Sequence, residues 1–282
     1  MRSNLLFQLA KHWIAGETYH DAINRAKHSS ALNISSIINL LGENITDRGI
    51  VDSTSAEYLQ ILMDIHTQTD LRTCISVKPT QLGLTINKTL FKEQLTRIVQ
   101  TAKSLENFVW VDMEGSAYKK STIETYLEML SKFDNVGIAI QAYLKQSIED
   151  VSRLLDSGAI IRLVKGAYNE PVELAYKHKA EVNENYHQLM KILFERANRF
   201  AIATHDETLI KEAIRLNSTH PANFDFEMLM GIRDKKKMEL VSHGHRVSEY
   251  IPYGKDWWEY SMRRIREHKS NVLLLARSLI SS

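Results

Sequence analysis

A chain of 282 residues, 44% hydrophobic and 25% charged, carries ample material for a globular core. Its formal net charge of +2 at pH 7 is too balanced to suggest a nucleic-acid or acidic-membrane partner. The lone cysteine, Cys74, excludes internal disulfides and any CxxC metal pattern, so a reducing cytoplasm is the default compartment.

The N-terminal "MRSNLLFQLAKHW" has helical spacing but neither the uninterrupted apolar core nor the cleavage site of a signal peptide. Two short helical patterns, roughly 3–14 and 18–28, open the chain. A rhythm of short apolar runs and longer amphipathic stretches follows. The runs are 32–41, 72–79, 107–114, 136–143, 159–168, 199–206, 222–229 and 245–254. Between them lie stretches of 3.6 periodicity such as "TIETYLEMLSKF" and "SIEDVSRLLDSG", the second closed by Gly158 as a C-cap. Such alternation predicts a parallel sheet, and eight runs fit an α/β fold of the (βα)8 TIM-barrel type better than an open doubly wound sheet. The expected division is an N-terminal helical arm, 1–30, on one barrel domain, 31–282. The most apolar tail, "NVLLLARSLI", is too short to span a membrane and is broken by Arg277; core packing is its expected use.

Chemistry on such a barrel gathers where strands end, and here those ends are polar: Lys78, Asp112 and Glu114, Gln141, Arg162 and Lys165, Thr204-His205-Asp206, and Glu227. Taken singly, each has a plainer reading. A lysine can snorkel, Asp112 or Asp206 can cap a helix, and His205 can be a satisfied core histidine. Together they would line one rim. "IIRLVKGAYNEP" is the sharpest case, because a buried guanidinium without a partner costs several kcal/mol or more. Arg162 therefore requires an anion.

Neither GxGxxG nor GxxxxGK[ST] occurs, so a nucleotide would bind without the usual glycine-rich loop. His243, His245 and His205 form no HExxH or in-strand HxH pattern, and no metal is assigned. Lys235, Lys236 and Lys237 read as a solvated helix face. In "YIPYGKDWWEYSMRRIREHK", helical spacing puts Tyr260, Arg263, Arg264 and Glu267 on one face. That face is either an exposed helix with Glu267 paired to Arg263, or a carboxylate clamp built on arginine forks.

In order, "SVKPTQLG", "DME", "QAY", "RLVKGAY", "ATHD", "FEMLMG" and "YIPYG…YSMRRIRE" resemble the proline dehydrogenase family, single-function bacterial type, from about residue 33 to 268. The resemblance implies a distorted (βα)8 barrel that binds FAD non-covalently. It implies oxidation of L-proline to 1-pyrroline-5-carboxylate, with electrons passed to a membrane quinone. It also implies a cytoplasmic protein, peripheral on the inner face of the membrane, whose product goes to a separate pyrroline-5-carboxylate dehydrogenase.

By the same resemblance, Asp112 and Arg162 are catalytic, with Arg162 near the flavin's N5 edge. Met113, Gln141, Val164, Lys165, Gly166, Ala167, Thr204 and His205 contact FAD. Glu227 lies by the adenosine end, and Lys179 approaches the pyrophosphate. Arg263 and Arg264, with Lys78 beside them, hold the proline carboxylate, Asp112 steadies those cations, and Glu267 supports them. Tyr168, Leu229, Tyr250 and Tyr260 wall the ring. Tyr250 stands where hydroxyproline-preferring relatives carry a smaller residue, which favours proline. Gly115 departs from the family, where an acidic residue is common. A dehydrogenase of 4-hydroxyproline or another cyclic imino acid, a flavin-binding regulator without turnover, and a metal-dependent aldolase or hydrolase on the same barrel are the rival readings.

Overall fold

The computed structural model describes residue 7 and residues 10–68, 70–258 and 260–262. Eight parallel strands close into a barrel in sequence order. They are β1 (Ser35–Leu40), β2 (Thr73–Val77), β3 (Val109–Val111), β4 (Val136–Gln141), β5 (Ile160–Val164), β6 (Phe200–Ala203), β7 (Phe224–Leu229) and β8 (Val247–Tyr253). Each falls inside one of the predicted runs. The barrel closes where β1 lies on β8, in register from Ser35 with Ser248 to Leu40 with Tyr253.

Helix α1 (Tyr19–Ala31) precedes the barrel. Its Thr18 and Asp21 form a reciprocal capping box, and it buries Ala22, Ile23 and Ala26. Seven helices then follow β1 to β7: α2 (Arg48–His66), α3 (Lys88–Ser104), α4 (Ser116–Leu130), α5 (Ser147–Asp156), α6 (Lys179–Arg196), α7 (Glu207–Thr219) and α8 (Asp234–Ser242). Local chemistry starts several of them. Asp47 accepts from Ile50 N, Asn87 from Leu90 N and Asp206 from Thr208 N. Gly158 follows α5 with φ of +78°, the left-handed conformation that glycine adopts without steric cost.

Half of the predicted helix over 3–14 falls outside the described residues, as do Arg263, Arg264, Glu267 and the tail "NVLLLARSLI".

Side chains alternate in and out along each strand. Ile37, Trp110 and Ala201 fill the interior with Tyr250 packed against them. Trp110 stands beside Gly137 on the neighbouring strand, where a Cβ would come within 2.4 Å of the indole. Glycine there makes room for the largest side chain in the barrel's interior.

One expectation fails on the outer face. Lys237 is buried, not solvated, and donates to Glu249 Oε1 at 2.6 Å and to Asp234 Oδ1 at 2.7 Å. Glu249 points outward from β8 and also takes a two-pronged bond from Arg25 (2.7 and 2.9 Å) and one from Ser29 Oγ at 2.9 Å. Burial raises its pKa, but Arg25 and Lys237 hold it below the ordinary carboxylate value. This cluster ties α1 and α8 to β8. Lys236 pairs with Glu207 and Glu239, leaving Lys235 as the exposed member of the run.

Candidate active site

The question posed by Arg162 has its answer inside the barrel. Its guanidinium is 2% exposed and lies between two carboxylates. Nη1 donates to Asp112 Oδ1 at 2.7 Å and to Ser76 Oγ at 3.1 Å. Nε lies 2.5 Å from Glu227 Oε2 as an ion pair whose alignment falls short of a hydrogen bond. Trp110 stacks on the cation with its ring centroid 4.5 Å away, and Tyr250 faces it at 5.6 Å. Burial would lower the arginine's pKa, but Glu227 and Asp112 more than compensate and raise it.

Asp112 organises this group. Oδ1 also accepts from Ser76 Oγ at 2.7 Å, and Oδ2 accepts from Tyr250 OH at 2.7 Å. It is no helix cap, since Gly115 holds that position for α4. Among the described residues, the cation it steadies is Arg162. Lys78 donates elsewhere, to Asn39 Oδ1 at 2.7 Å. The amide of Asn39 is oriented by its bond to Ser76 O at 2.8 Å, which leaves the oxygen facing Lys78. Lys78 is thus a buried ammonium held by a neutral acceptor.

Glu227, expected at the adenosine end, touches Arg162, the arginine expected near N5. Glu227 belongs with Arg162. Burial pushes its pKa up to about 7 against the pull of the guanidinium.

Around this centre the rim is ordered. Gln141 Nε2 donates to Met113 O at 3.1 Å, while its buried Oε1 has no hydrogen-bond partner among the described residues. Arg162 Nη2 has none either. Val164 pairs with Gln141 at the strand ends. Lys165 Nζ bonds Asn183 Oδ1 (2.7 Å) and Asp206 Oδ2 (2.8 Å), and the exposed Lys179 Nζ approaches the same carboxylate at 3.9 Å. Burial would raise the pKa of Asp206, but Lys165 holds it below the ordinary value. Asp206 both caps α7 and binds these lysines. Thr204 Oγ1 accepts from Asp206 N, and His205 Nε2 accepts from Leu229 N at 2.9 Å, which puts the proton of a neutral ring on Nδ1.

Gly166 bends with φ of +104°, and a Cβ there would lie 2.1 Å from the Tyr143 ring. Ala167 is exposed, and Tyr168 packs with Tyr143, Leu144 and Ala175. Leu229 is in register with Tyr250. Tyr260 is buried with Leu41, Trp257, Trp13 and Ala10, just beyond the end of β1. Glu114 accepts from Thr80 N (2.7 Å) and Oγ1 (2.6 Å) and so pins the loop after β2.

Ser76, Trp110, Asn39 and Asn183 were not foreseen. The first two were findable: they sit two residues before Lys78 and Asp112, and period-two alternation puts them on the same inward face. Among the described residues, no cluster of His, Cys, Asp or Glu is arranged to hold a metal ion.

Comparison with known proteins bears on the family and the fold. The sequence model of the family described as "Proline dehydrogenase" matches residues 22–277. "Proline dehydrogenase 2" of Bacillus subtilis (strain 168) is 32% identical, over 96% of this chain and 93% of its own length. "Proline dehydrogenase" of Deinococcus radiodurans is 31% identical, over 98% and 91%. Among solved structures, proline utilization A from Bdellovibrio bacteriovorus, inactivated by N-propargylglycine, superposes with a TM-score of 0.86 at 25% identity. That match covers 92% of this chain but 32% of the longer protein. Proline utilization A from Corynebacterium freiburgense gives a TM-score of 0.80 at 24% identity, over 98% of this chain and 33% of that one.

Proposed function

The chain belongs to the proline dehydrogenase family, and on that premise we propose that it oxidises L-proline to 1-pyrroline-5-carboxylate with bound FAD. This is the first step of proline catabolism. The observation that carries the reading is the buried Arg162, shared by Asp112 and Glu227 at the carboxyl-terminal mouth of a closed barrel.

The residues present fit a large anionic heteroaromatic cofactor. Two buried polar atoms on neighbouring strands, Gln141 Oε1 and Arg162 Nη2, lack hydrogen-bond partners among the described residues. Lys165 and Lys179 supply positive charge on the rim for a pyrophosphate. When bound, FAD supplies the hydride acceptor. Arg162 contributes a permanent positive charge where negative charge develops, and its two carboxylates and Trp110 keep it from reorienting. Thr204, His205 and the Gly166–Ala167 bend frame the cofactor's edge.

For the substrate, Lys78 offers its ammonium to the proline carboxylate. Asn39 holds it without neutralising it. Arg263 and Arg264, with Glu267, complete the clamp in this reading. Tyr250, Tyr168, Leu229 and Tyr260 enclose the ring. With its hydroxyl tied to Asp112, Tyr250 cannot swing aside for a 4-hydroxyl group, which favours proline over 4-hydroxyproline. The acceptor of electrons in this proposal is a membrane quinone. No helix among the described residues is long and apolar enough to cross a membrane; this proposal has the quinone reached by peripheral contact. A separate dehydrogenase would take the product.

Purified protein should be yellow and should bleach anaerobically on adding L-proline, with steady-state rates favouring proline over 4-hydroxyproline. Colourless protein with stoichiometric metal would overturn the reading.

A further inference from the structure

The segment from Lys165 to His178 leaves β5 and doubles back over the end of β4. Tyr143 fixes both of its ends: Tyr143 N donates to Lys165 O, and Tyr176 N donates to Tyr143 O, each at 2.8 Å. Between these points Tyr168 and Ala175 pack against Tyr143 and Leu144, and Lys145 N donates to Leu174 O at 2.9 Å, while Val172 and Leu174 are exposed. Its tie to α4 is one side chain. Glu170, 8% exposed, accepts from Ser116 N at 2.6 Å and from Ser116 Oγ, 54 residues away in sequence. Lys177 Nζ in turn bonds the Glu170 carbonyl.

Ser116 is the first residue of α4, and the preceding Gly115 brings no side chain to cap it. The open amide donors of a helix start need an acceptor and favour negative charge. Glu170 meets both needs from another loop. A Cβ on Gly115 would lie 3.5 Å from Glu170 Oε1, an ordinary contact. A small side chain fits there, whereas a carboxylate would confront Glu170.

We propose that Glu170 is a latch: by capping α4 in place of Gly115, it fixes the Lys165–His178 segment over the barrel mouth. It is a positioning residue for Gly166, Ala167 and Tyr168. The link to catalysis rests on the reading of those three as cofactor and substrate contacts.

The test uses the purified full chain and two readouts, amide hydrogen exchange over 165–178 and the split between KM and kcat for proline. Glu170→Ala should speed exchange in that segment about 10-fold or more and raise KM about 10-fold with a smaller change in kcat. Glu170→Gln, which retains an acceptor oxygen, should fall between it and the parent. Gly115→Asp in the parent should reproduce the loosening by repulsion.

Gly115→Ser combined with Glu170→Ala is decisive, because it gives α4 a local cap. Thermal stability should recover while fast exchange and high KM persist. If exchange and KM recover as well, Glu170 is only a helix cap and the latch is refuted. Unchanged exchange in Glu170→Ala refutes it too. Failure of the parent to oxidise proline would instead overturn the functional reading, and the exchange measurement would still decide the latch.

Discussion

The Tyr250 hydroxyl donates to Asp112 Oδ2 at 2.7 Å, joining β8 to β3 across the barrel interior, while the other oxygen of Asp112 takes Arg162. Tyr250→Phe leaves one carboxylate oxygen unsatisfied at a cost of about 1–3 kcal/mol. The expected loss in kcat/KM for proline is about 10-fold. Asp112→Ala removes half of the compensation of a buried guanidinium and should cost about 100-fold or more. Steady-state kinetics of both variants check this, and a Tyr250→Phe enzyme within twofold of the parent would show the tie to be idle.

Glu114 gives a pH dependence. Its burial outweighs the bonds from Thr80 and the charge of Lys78 and raises its pKa from 4.5 to about 7. The folded state therefore holds the proton more tightly than the unfolded chain. The associated stability is fully present below about pH 4.5 and is lost as pH rises through about 7. A shift of this size corresponds to about 3 kcal/mol at most. Glu114→Gln should flatten the fall in melting temperature between pH 5 and pH 8 (roughly the window that linkage sets). An equally steep profile in the variant would assign the effect to another group.

Outside the barrel, Glu249 compensates Lys237 and Arg25. Glu249→Ala should cost about 3–5 kcal/mol, because Lys237 would remain buried with only the exposed Asp234 to compensate it. Glu249→Leu with Lys237→Met should recover much of that loss, as apolar replacement of a buried pair often does. Denaturant unfolding of the three proteins measures both effects. A double variant as unstable as Glu249→Ala would locate the loss in packing instead.

Gly137→Ala should drive a methyl group into the Trp110 indole, 2.4 Å from the Cβ position, and cost about 1–3 kcal/mol. Trp110→Leu in that background should restore part of the stability, giving a coupling that a double-mutant cycle can measure. Because Trp110 underlies Arg162, the single variant should lose activity as well.

The strands were legible because parallel barrel strands are buried on both faces and read as apolar runs. The charged strand ends were legible as a set, because one barrel rim collects them although each has a plainer reading singly. What escaped the sequence depends on neighbours in space. Asn39 is an ordinary strand residue until β2 lies beside it and brings Lys78 within 2.7 Å. Lys237 reads as solvent-facing because its partner, Glu249, belongs to another element and points away from the barrel interior. The contact of Glu227 with Arg162 is likewise set by how β5, β6 and β7 curve around one interior.

The closure of β1 on β8 bears on how the chain is made. Ser35 and Ser248 are about 210 residues apart. At synthesis rates of roughly 5–20 residues per second, β1 waits on the order of 10–40 seconds for its partner to emerge. Throughout that interval a growing, open sheet presents unpaired backbone groups, the hazard that finished barrels abolish. Helix α1, made just before β1, also waits, since its Arg25 finds Glu249 only on β8. The nascent protein thus spends most of its synthesis with its seam open, and its dependence on chaperones should be set by that delay more than by the stability of the completed fold.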